Sequence, residues 1–287
     1  MLTVLAPAKL NLTLEVLAKR PDGFHEIRSV TQTISLCDSL NFQLGQNIKF
    51  KCENPEWLSE KSLASKAVSL LQKATGCPKG ATIEINKRIP LVSGLGGDSS
   101  DAAAVLRGLN TLWELGLSLP ELVKLASQLG SDVAFFLYGG TALVRGRGEI
   151  VTPLPPFPHM WVVLMVPPVP RLPGKTGQLY ASLKANHYTD GQITGRLLEM
   201  LREGRKFTPS LLFNTFENVA FTRLSKVSTY RSHALKVGAP NVHLAGSGPT
   251  LYTLLKDRVQ AEELYFRLRR QRRQPYLSET LASIDQV

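Results

Sequence analysis

Pro90-Leu91-Val92-Ser93-Gly94-Leu95-Gly96-Gly97-Asp98-Ser99-Ser100, running on into Asp101-Ala102-Ala103-Ala104, carries more structural information than any other segment of the chain. Three glycines (Gly94, Gly96, Gly97) fall within four positions, two hydroxyls follow, and the alanine run favours a helix. Glycine lets a backbone turn at positive φ and approach a ligand closely. A helix start then offers unpaired N–H groups and the positive end of a dipole, which together favour an anion. Ser99 and Ser100 add hydroxyls able to donate to a phosphate or to ligate its magnesium. The loop lacks the lysine of the usual P-loop, and its spacing is not the dinucleotide fingerprint. A plain strand-to-helix turn capped by serine needs fewer glycines. The loop therefore reads as an anion cradle.

Outside this loop, composition sets bounds. A chain of 287 residues is long for one core and suggests two domains. Hydrophobic residues at 43% and charged residues at 20% describe an ordinary globular protein. Cys37, Cys52 and Cys77 form no CxxC pair, which fits structural thiols in a reduced, cytoplasmic compartment. Met1-Leu-Thr-Val-Leu-Ala-Pro-Ala-Lys-Leu-Asn-Leu12 has no signal-peptide pattern. The apolar run at residues 161–166 is too short to cross a bilayer. Net charge is +11, from 34 basic and 23 acidic residues. Much of the excess lies in Arg267, Arg269, Arg270, Arg272 and Arg273, after Ala261-Glu262-Glu263-Leu264. That pattern suits the cation-favouring end of a solvated helix, and also an anion-attracting face or a nucleic-acid contact. The aromatic-basic interleaving of RNA-binding surfaces is missing, so no nucleic-acid partner and no membrane partner is expected.

Hydrophobic patterning predicts strands at residues 2–18, 28–38, 40–50 and 82–86. Helices are expected at 62–74, 99–115, from 119 to Gly130, and from Asp132 to Gly139. A strand is expected at 141–151. Residues 152–159 carry four prolines in eight positions and mark the best domain boundary. A buried strand at 161–166, a loop at 167–177 reaching back toward a site, helices, and strands at 242–244 and 251–255 follow, the last two flanking a second glycine loop at Gly246-Ser247-Gly248-Pro249. The mixed order argues for an α+β protein of two domains, residues 1–153 and 154–287.

Two residues stand out as chemistry. Lys9, in Ala6-Pro7-Ala8-Lys9-Leu10-Asn11-Leu12, is flanked by apolar residues and must lie at an exposed end or against an acidic partner. Asp132, after Gly130-Ser131, is either a helix N-cap or that partner. In the second case it is suited to act as general base for a substrate hydroxyl, with Lys9 as countercharge and as stabiliser of a migrating phosphoryl group. In Pro21-Asp22-Gly23-Phe24-His25-Glu26, Asp-Gly marks a turn. The aromatic and the imidazole after it suit a base by stacking and hydrogen bonding, or form a structural loop.

Ala8-Lys9-Leu10-Asn11-Leu12, Pro21-Asp22-Gly23-Phe24-His25-Glu26, Ile89-Pro90-x3-Gly94-Leu95-Gly96-Gly97-x-Ser99-Ser100-Asp101-Ala102-Ala103, Gly130-Ser131-Asp132-Val133-x-Phe135-Phe136-Leu137 and Ala245-Gly246-Ser247-Gly248-Pro249-Thr250 occur in this order. Together they resemble the GHMP kinase superfamily over roughly residues 5–256. The Ala-Lys-Leu-Asn start and Asp-Gly-Phe-His-Glu point to its branch acting on cytidine-diphosphate-linked methylerythritol. The resemblance implies a ribosomal-S5-like N-terminal domain, a ferredoxin-like C-terminal domain, and a cleft between them. It implies an ATP-dependent kinase, with magnesium, that phosphorylates the 2-hydroxyl of that small molecule in the non-mevalonate isoprenoid route. The alternative is another GHMP kinase acting on homoserine, mevalonate or a sugar. A monomer or homodimer is expected.

Position by position, the resemblance makes Lys9 and Asp132 the catalytic pair and gives the ATP phosphates to Pro90, Leu91, Val92, Ser93, Gly94, Leu95, Gly96, Gly97, Asp98, Ser99 and Ser100. Asn11 would hold the methylerythritol part, Phe24 and His25 the cytosine, and Thr176 and Tyr180 would lie near the cytidine. Gly246, Ser247 and Gly248 would close over the reacting groups. Asp98 stands where the family has a third glycine, which suggests a helix cap or, like Ser99 or Ser100, a magnesium ligand. Phe24 replaces a usual tyrosine, Ser62 a usual asparagine near the adenine, and Ala134 a usual proline.

Overall fold

The computed structural model describes residues 1–170 and 174–284. Chain order is β1 (Leu2–Lys19), β2 (His25–Gly45), β3 (Lys49–Cys52), α1 (Leu63–Thr75), β4 (Gly80–Asn86), α2 (Gly97–Leu112), α3 (Leu119–Leu129), α4 (Val133–Tyr138), β5 (Thr141–Gly146) and β6 (Ile150–Pro153). After the proline-rich segment come β7 (Trp161–Met165), α5 (Lys175–Ser182), α6 (Gln192–Arg202), β8 (Phe213–Asn214), α7 (Glu217–Arg223), α8 (Ser225–Lys236), β9 (His243–Leu244), β10 (Leu251–Leu255), α9 (Arg258–Arg270) and β11 (Pro275–Glu279).

Two sheets organise these elements. The first runs β3-β4-β2-β1-β8, with β5 beside β2 and β6 beside β5; the second runs β11-β7-β10-β9. Side chains alternate faces along a strand. Ala8, Leu10 and Leu12 of β1 are therefore buried with Val162, Leu164 and Leu254 of the second sheet, while the intervening Lys9 and Asn11 share the other face. Complete burial of Leu10 and Leu12 stabilises this junction by about 1.5–3 kcal/mol for each side chain. The other large core packs α1 to α4 against the first sheet, with Val68, Leu71, Leu106, Leu109 and Trp113 buried.

Four of the departures from the sequence expectations have a local physical cause. The strands expected on either side of residue 39 are one strand, β2, which ends at Gly45. The polar Asp38 reads as a break, yet it is fully buried because Lys87 and the N–H groups of Arg88 and Ile89 satisfy its carboxylate. The strand expected at 141–151 is the β5–β6 hairpin, turned by Gly146 and Gly148 at φ 72° and 121°. Helix α2 begins at Gly97 and ends at Leu112, before Glu114 enters the left-handed region at φ 58°. The loop expected at 167–177 yields to α5 at Lys175; its residues 171–173 lie outside the described residues. The basic run falls as expected at the C-terminal end of α9, where Arg267 also pairs with Glu263 at 2.7 Å. Among the described residues no helix is long and apolar enough to cross a membrane.

Candidate active site

A cavity of about 1000 Å³ opens between the first sheet, the start of α2 and the loop after β9. One wall is the glycine loop. Gly94 and Gly96 sit at φ 88° and 78°, the left-handed region that glycine enters without strain. They are also needed for close approach. A Cβ on Gly94 would lie 2.9 Å from the Gly248 nitrogen, and one on Gly96 would lie 2.7 Å from the Phe136 ring. The two glycine loops thus touch, and Thr250 N–H donates to the Ser93 carbonyl at 3.1 Å. Val92 adopts φ 56°, an outlier for a β-branched residue of the kind that gathers at ligand clamps.

Helix α2 starts from Gly96 with no side-chain cap. Its first N–H groups and the positive end of its dipole therefore face the cavity without competition from a capping oxygen. Asp98 caps a neighbouring helix instead of its own. Its two carboxylate oxygens accept from Leu63 N–H, at the head of α1, at 3.1 and 3.3 Å. Although Asp98 is exposed, desolvation by the atoms packed around its carboxylate raises its pKa above the usual carboxylate value, against this backbone bond and the nearby Lys87 and Lys66. Ser62 caps α1 from the other side, its Oγ accepting from Ser65 N–H at 3.1 Å.

Lys9 is 4% exposed, and its ammonium donates to Asn11 Oδ1 at 2.7 Å and lies 3.4 Å from Asp132 Oδ2. A register shift between Pro7 and Ala8 lets Lys9 N–H leave the ladder and donate to the Leu95 carbonyl at 2.9 Å. This bond fastens β1 to the glycine loop. Asn11 Nδ2 donates to Ser29 Oγ at 2.9 Å, which leaves its carbonyl turned to Lys9. Asp132 occupies the N-cap position of α4, but its side chain makes no capping bond. Both of its sequence readings are thus met in part: the position is a cap and the carboxylate is a partner for Lys9. A Cβ on Gly246 would stand 3.2 Å from the Lys9 ammonium, so the second glycine loop closes directly on this pair.

At the other end, Asp22 Oδ1 accepts Phe24 N–H at 3.1 Å and builds the local turn. Phe24 is 51% exposed, with the Arg147 guanidinium 4.8 Å from its ring centroid. His25 stacks on Tyr180 at 4.6 Å and 19°, with Tyr188 edge-on at 6.1 Å. Burial, with Lys19 nearby, lowers the His25 pKa and favours the neutral imidazole. Burial and the charge of Asp132 raise that of Tyr180, which keeps its phenol protonated. Thr176 Oγ1 meets Ser247 Oγ at 2.8 Å.

Of the residues expected at the site, Lys9, Asn11, Phe24, His25, Asp132, Thr176, Tyr180, Gly246 and Ser247 line the cavity, as do residues 90–94 and 96–99. Leu95, Ser100 and Gly248 do not. Leu95 is fully buried, and Ser100 Oγ donates to the Pro7 carbonyl at 2.7 Å, below the loop. Lys87, Trp57, Arg147 and Lys175 also line the cavity, and the sequence reading missed all four. Nothing in their local sequence distinguishes them from surface residues.

Among the described residues no group of three or more His, Cys, Asp or Glu could hold a metal by itself. Ser99 presents its hydroxyl on the wall beside the α2 terminus, whereas the Asp98 carboxylate is engaged by Leu63 N–H.

The family pattern of the GHMP kinases N terminal domain matches residues 62–140. A 4-diphosphocytidyl-2-C-methyl-D-erythritol kinase of Dehalococcoides mccartyi is 50% identical over 285 residues, covering 99% of this chain and 100% of that protein. The enzyme of that name from a Geobacillus species is 39% identical over 273 residues, 93% of each chain. A crystal structure of 4-(cytidine 5'-diphospho)-2C-methyl-D-erythritol kinase superimposes with TM-score 0.82 at 32% identity, covering 97% of this chain and 99% of that one. Full-length identity of this order, on a shared fold, leaves no doubt about kinship: the chain belongs to the 4-diphosphocytidyl-2-C-methyl-D-erythritol kinase family of GHMP kinases.

Proposed function

We propose that the protein transfers the γ-phosphoryl group of ATP to the 2-hydroxyl of 4-diphosphocytidyl-2-C-methyl-D-erythritol. The observation that carries this reading is the Lys9–Asp132 pair at 3.4 Å, set between the glycine loop at the start of α2 and the second glycine loop. Asp132 accepts the proton of the attacking hydroxyl, since its carboxylate oxygens are not spent on capping α4. Lys9, held by Asn11, offsets charge on the migrating group. The free N–H groups of α2 and the loop backbone hold the phosphates.

Trp57, Leu58 and Ser62, beside Pro90 and Leu91 on the cavity wall, form the end suited to adenine. His25 and Tyr180, at the opposite end, suit the cytosine. Magnesium, when bound with the nucleotide through Ser99, supplies charge neutralisation for the phosphates. We also assign residues 1–153 and 154–287 to the two domains, because the proline-rich segment separates the two sheets save for the short strand β8.

A coupled ADP-release assay tests the reading. Turnover is expected with the cytidine-diphosphate substrate and not with homoserine or mevalonate. Turnover with homoserine or mevalonate alone would transfer the protein to another branch of the superfamily.

A further inference from the structure

Lys175 is an unusual lysine. It is 8% exposed, yet its ammonium is held only by backbone carbonyls among the described residues: that of Gly248, and that of Val92 at 3.3 Å. A buried charge without a counter-ion is destabilising unless a partner arrives. Burial alone lowers its pKa to about 8, with no carboxylate acting to raise it. The ammonium is therefore still charged at neutral pH.

Its two acceptors belong to the two glycine loops. Val92 is the left-handed turn of the first, and Gly248 ends the second. The neighbouring Thr176 adds a second tie, through Ser247. Lys175, Val92, Gly94 and Ser247 all line the cavity. A strut alone would need only a neutral donor. Among the described residues the cation at this seam has no anionic partner, and a polyphosphate would supply one.

We propose that Lys175 is a positioning residue for phosphoryl transfer, pinning the Val92 turn to the Gly248 loop and placing a positive charge at the seam where the nucleotide phosphates bind. The inference rests on the kinase reading and deepens it. It predicts that the loss on removing the charge grows with the number of phosphates on the nucleotide.

The experiment compares the full-length parent with Lys175→Met, which keeps the stem and removes the charge, and Lys175→Arg, which keeps the charge. Steady-state kinetics and binding of ATP and AMP are measured, with thermal melting as the folding control. For Lys175→Met, KM for ATP should rise roughly ten- to a hundredfold, the size of one charge-assisted contact. Affinity for AMP and KM for the cytidine-diphosphate substrate should stay within about twofold, and Lys175→Arg should recover ATP affinity to within about threefold, well under one such contact. An unchanged ATP KM in folded Lys175→Met, or an equal loss for ATP and AMP, would overturn the proposal. If the methionine variant does not fold, the arginine variant decides. An ATP-to-AMP affinity ratio near the parent's supports the charge role, and a loss as large as one charge-assisted contact, about tenfold, overturns it. Absence of ADP release by the parent would overturn the kinase reading instead, while the affinity ratio still reports on Lys175.

Discussion

The imidazole of His25 lies flat against the phenol ring of Tyr180, centroids 4.6 Å apart and planes 19° from parallel. The pair joins the turn after β1 to α5 and closes one end of the cavity, while Phe24 stands exposed at its rim. On the proposed reading, His25 and Tyr180 are expected to contribute more to cytosine recognition than the exposed Phe24. His25→Ala and Tyr180→Leu should each raise KM for the cytidine-diphosphate substrate, by about 1–3 kcal/mol of lost base contact, and leave KM for ATP nearly unchanged. Phe24→Tyr should be near neutral. Equal losses for both substrates would show the turn to be structural.

The lowered His25 pKa makes a pH prediction. A depressed histidine stays neutral at pH 7 and charges only below its ordinary value of about 6.5. KM for the cytidine-diphosphate substrate should be flat between about pH 8 and about pH 7 and change only in more acid solution. NMR titration of the imidazole should give a midpoint below that ordinary value; one above it would contradict the burial described.

Asp132→Asn keeps shape but cannot take a proton. Its kcat should fall on the order of 10²–10⁴ with ATP affinity near normal. A loss within about threefold, ~0.65 kcal/mol of barrier, would remove the base role. Lys9→Met should likewise depress kcat in folded protein. An effect confined to thermal stability would make the 3.4 Å contact a structural ion pair.

Asp98 joins α2 to α1 through Leu63. Asp98→Ala should lower stability by roughly 1 kcal/mol, as loss of a helix cap does, seen as a fall in Tm. Asp98→Asn keeps an acceptor for Leu63 N–H and sheds a charge that local desolvation disfavours, so it should melt close to the parent. A magnesium titration identical in all three proteins is expected if Ser99 alone serves the metal; a weakened one would return Asp98 to the metal site.

Lys87 is buried between Asp38 and Asp101 beneath the glycine loop, 2.6 Å from Asp101 Oδ2. Burial pushes the Asp101 pKa well up, against the pull of Lys87. Lys87→Met strands two carboxylates and should cost about 3–5 kcal/mol in denaturant unfolding. A cost under about 1 kcal/mol, the size of a surface pair, would show that the buried Lys87 contacts do not hold this part of the fold together.

The chain's own order of residues determined what depends on near neighbours. The left-handed glycines of the 90–100 loop, the start of helix α1 after Ser62 and the stop at Gly76 all follow from backbone preference and periodicity. These act over a few residues, so one segment suffices to reveal them. Through-space contact decided the rest. Asp38 read as the end of a strand because the basic and backbone partners that bury it come from residues 87–89. Asp132 read as a helix cap or as a partner for Lys9 until folding set its carboxylate 3.4 Å from that ammonium. Lys175 carried no local signal at all. What sets it apart is burial without a counter-ion among the described residues, and desolvation and ion pairing are properties of the packed environment, which no run of adjacent residues contains.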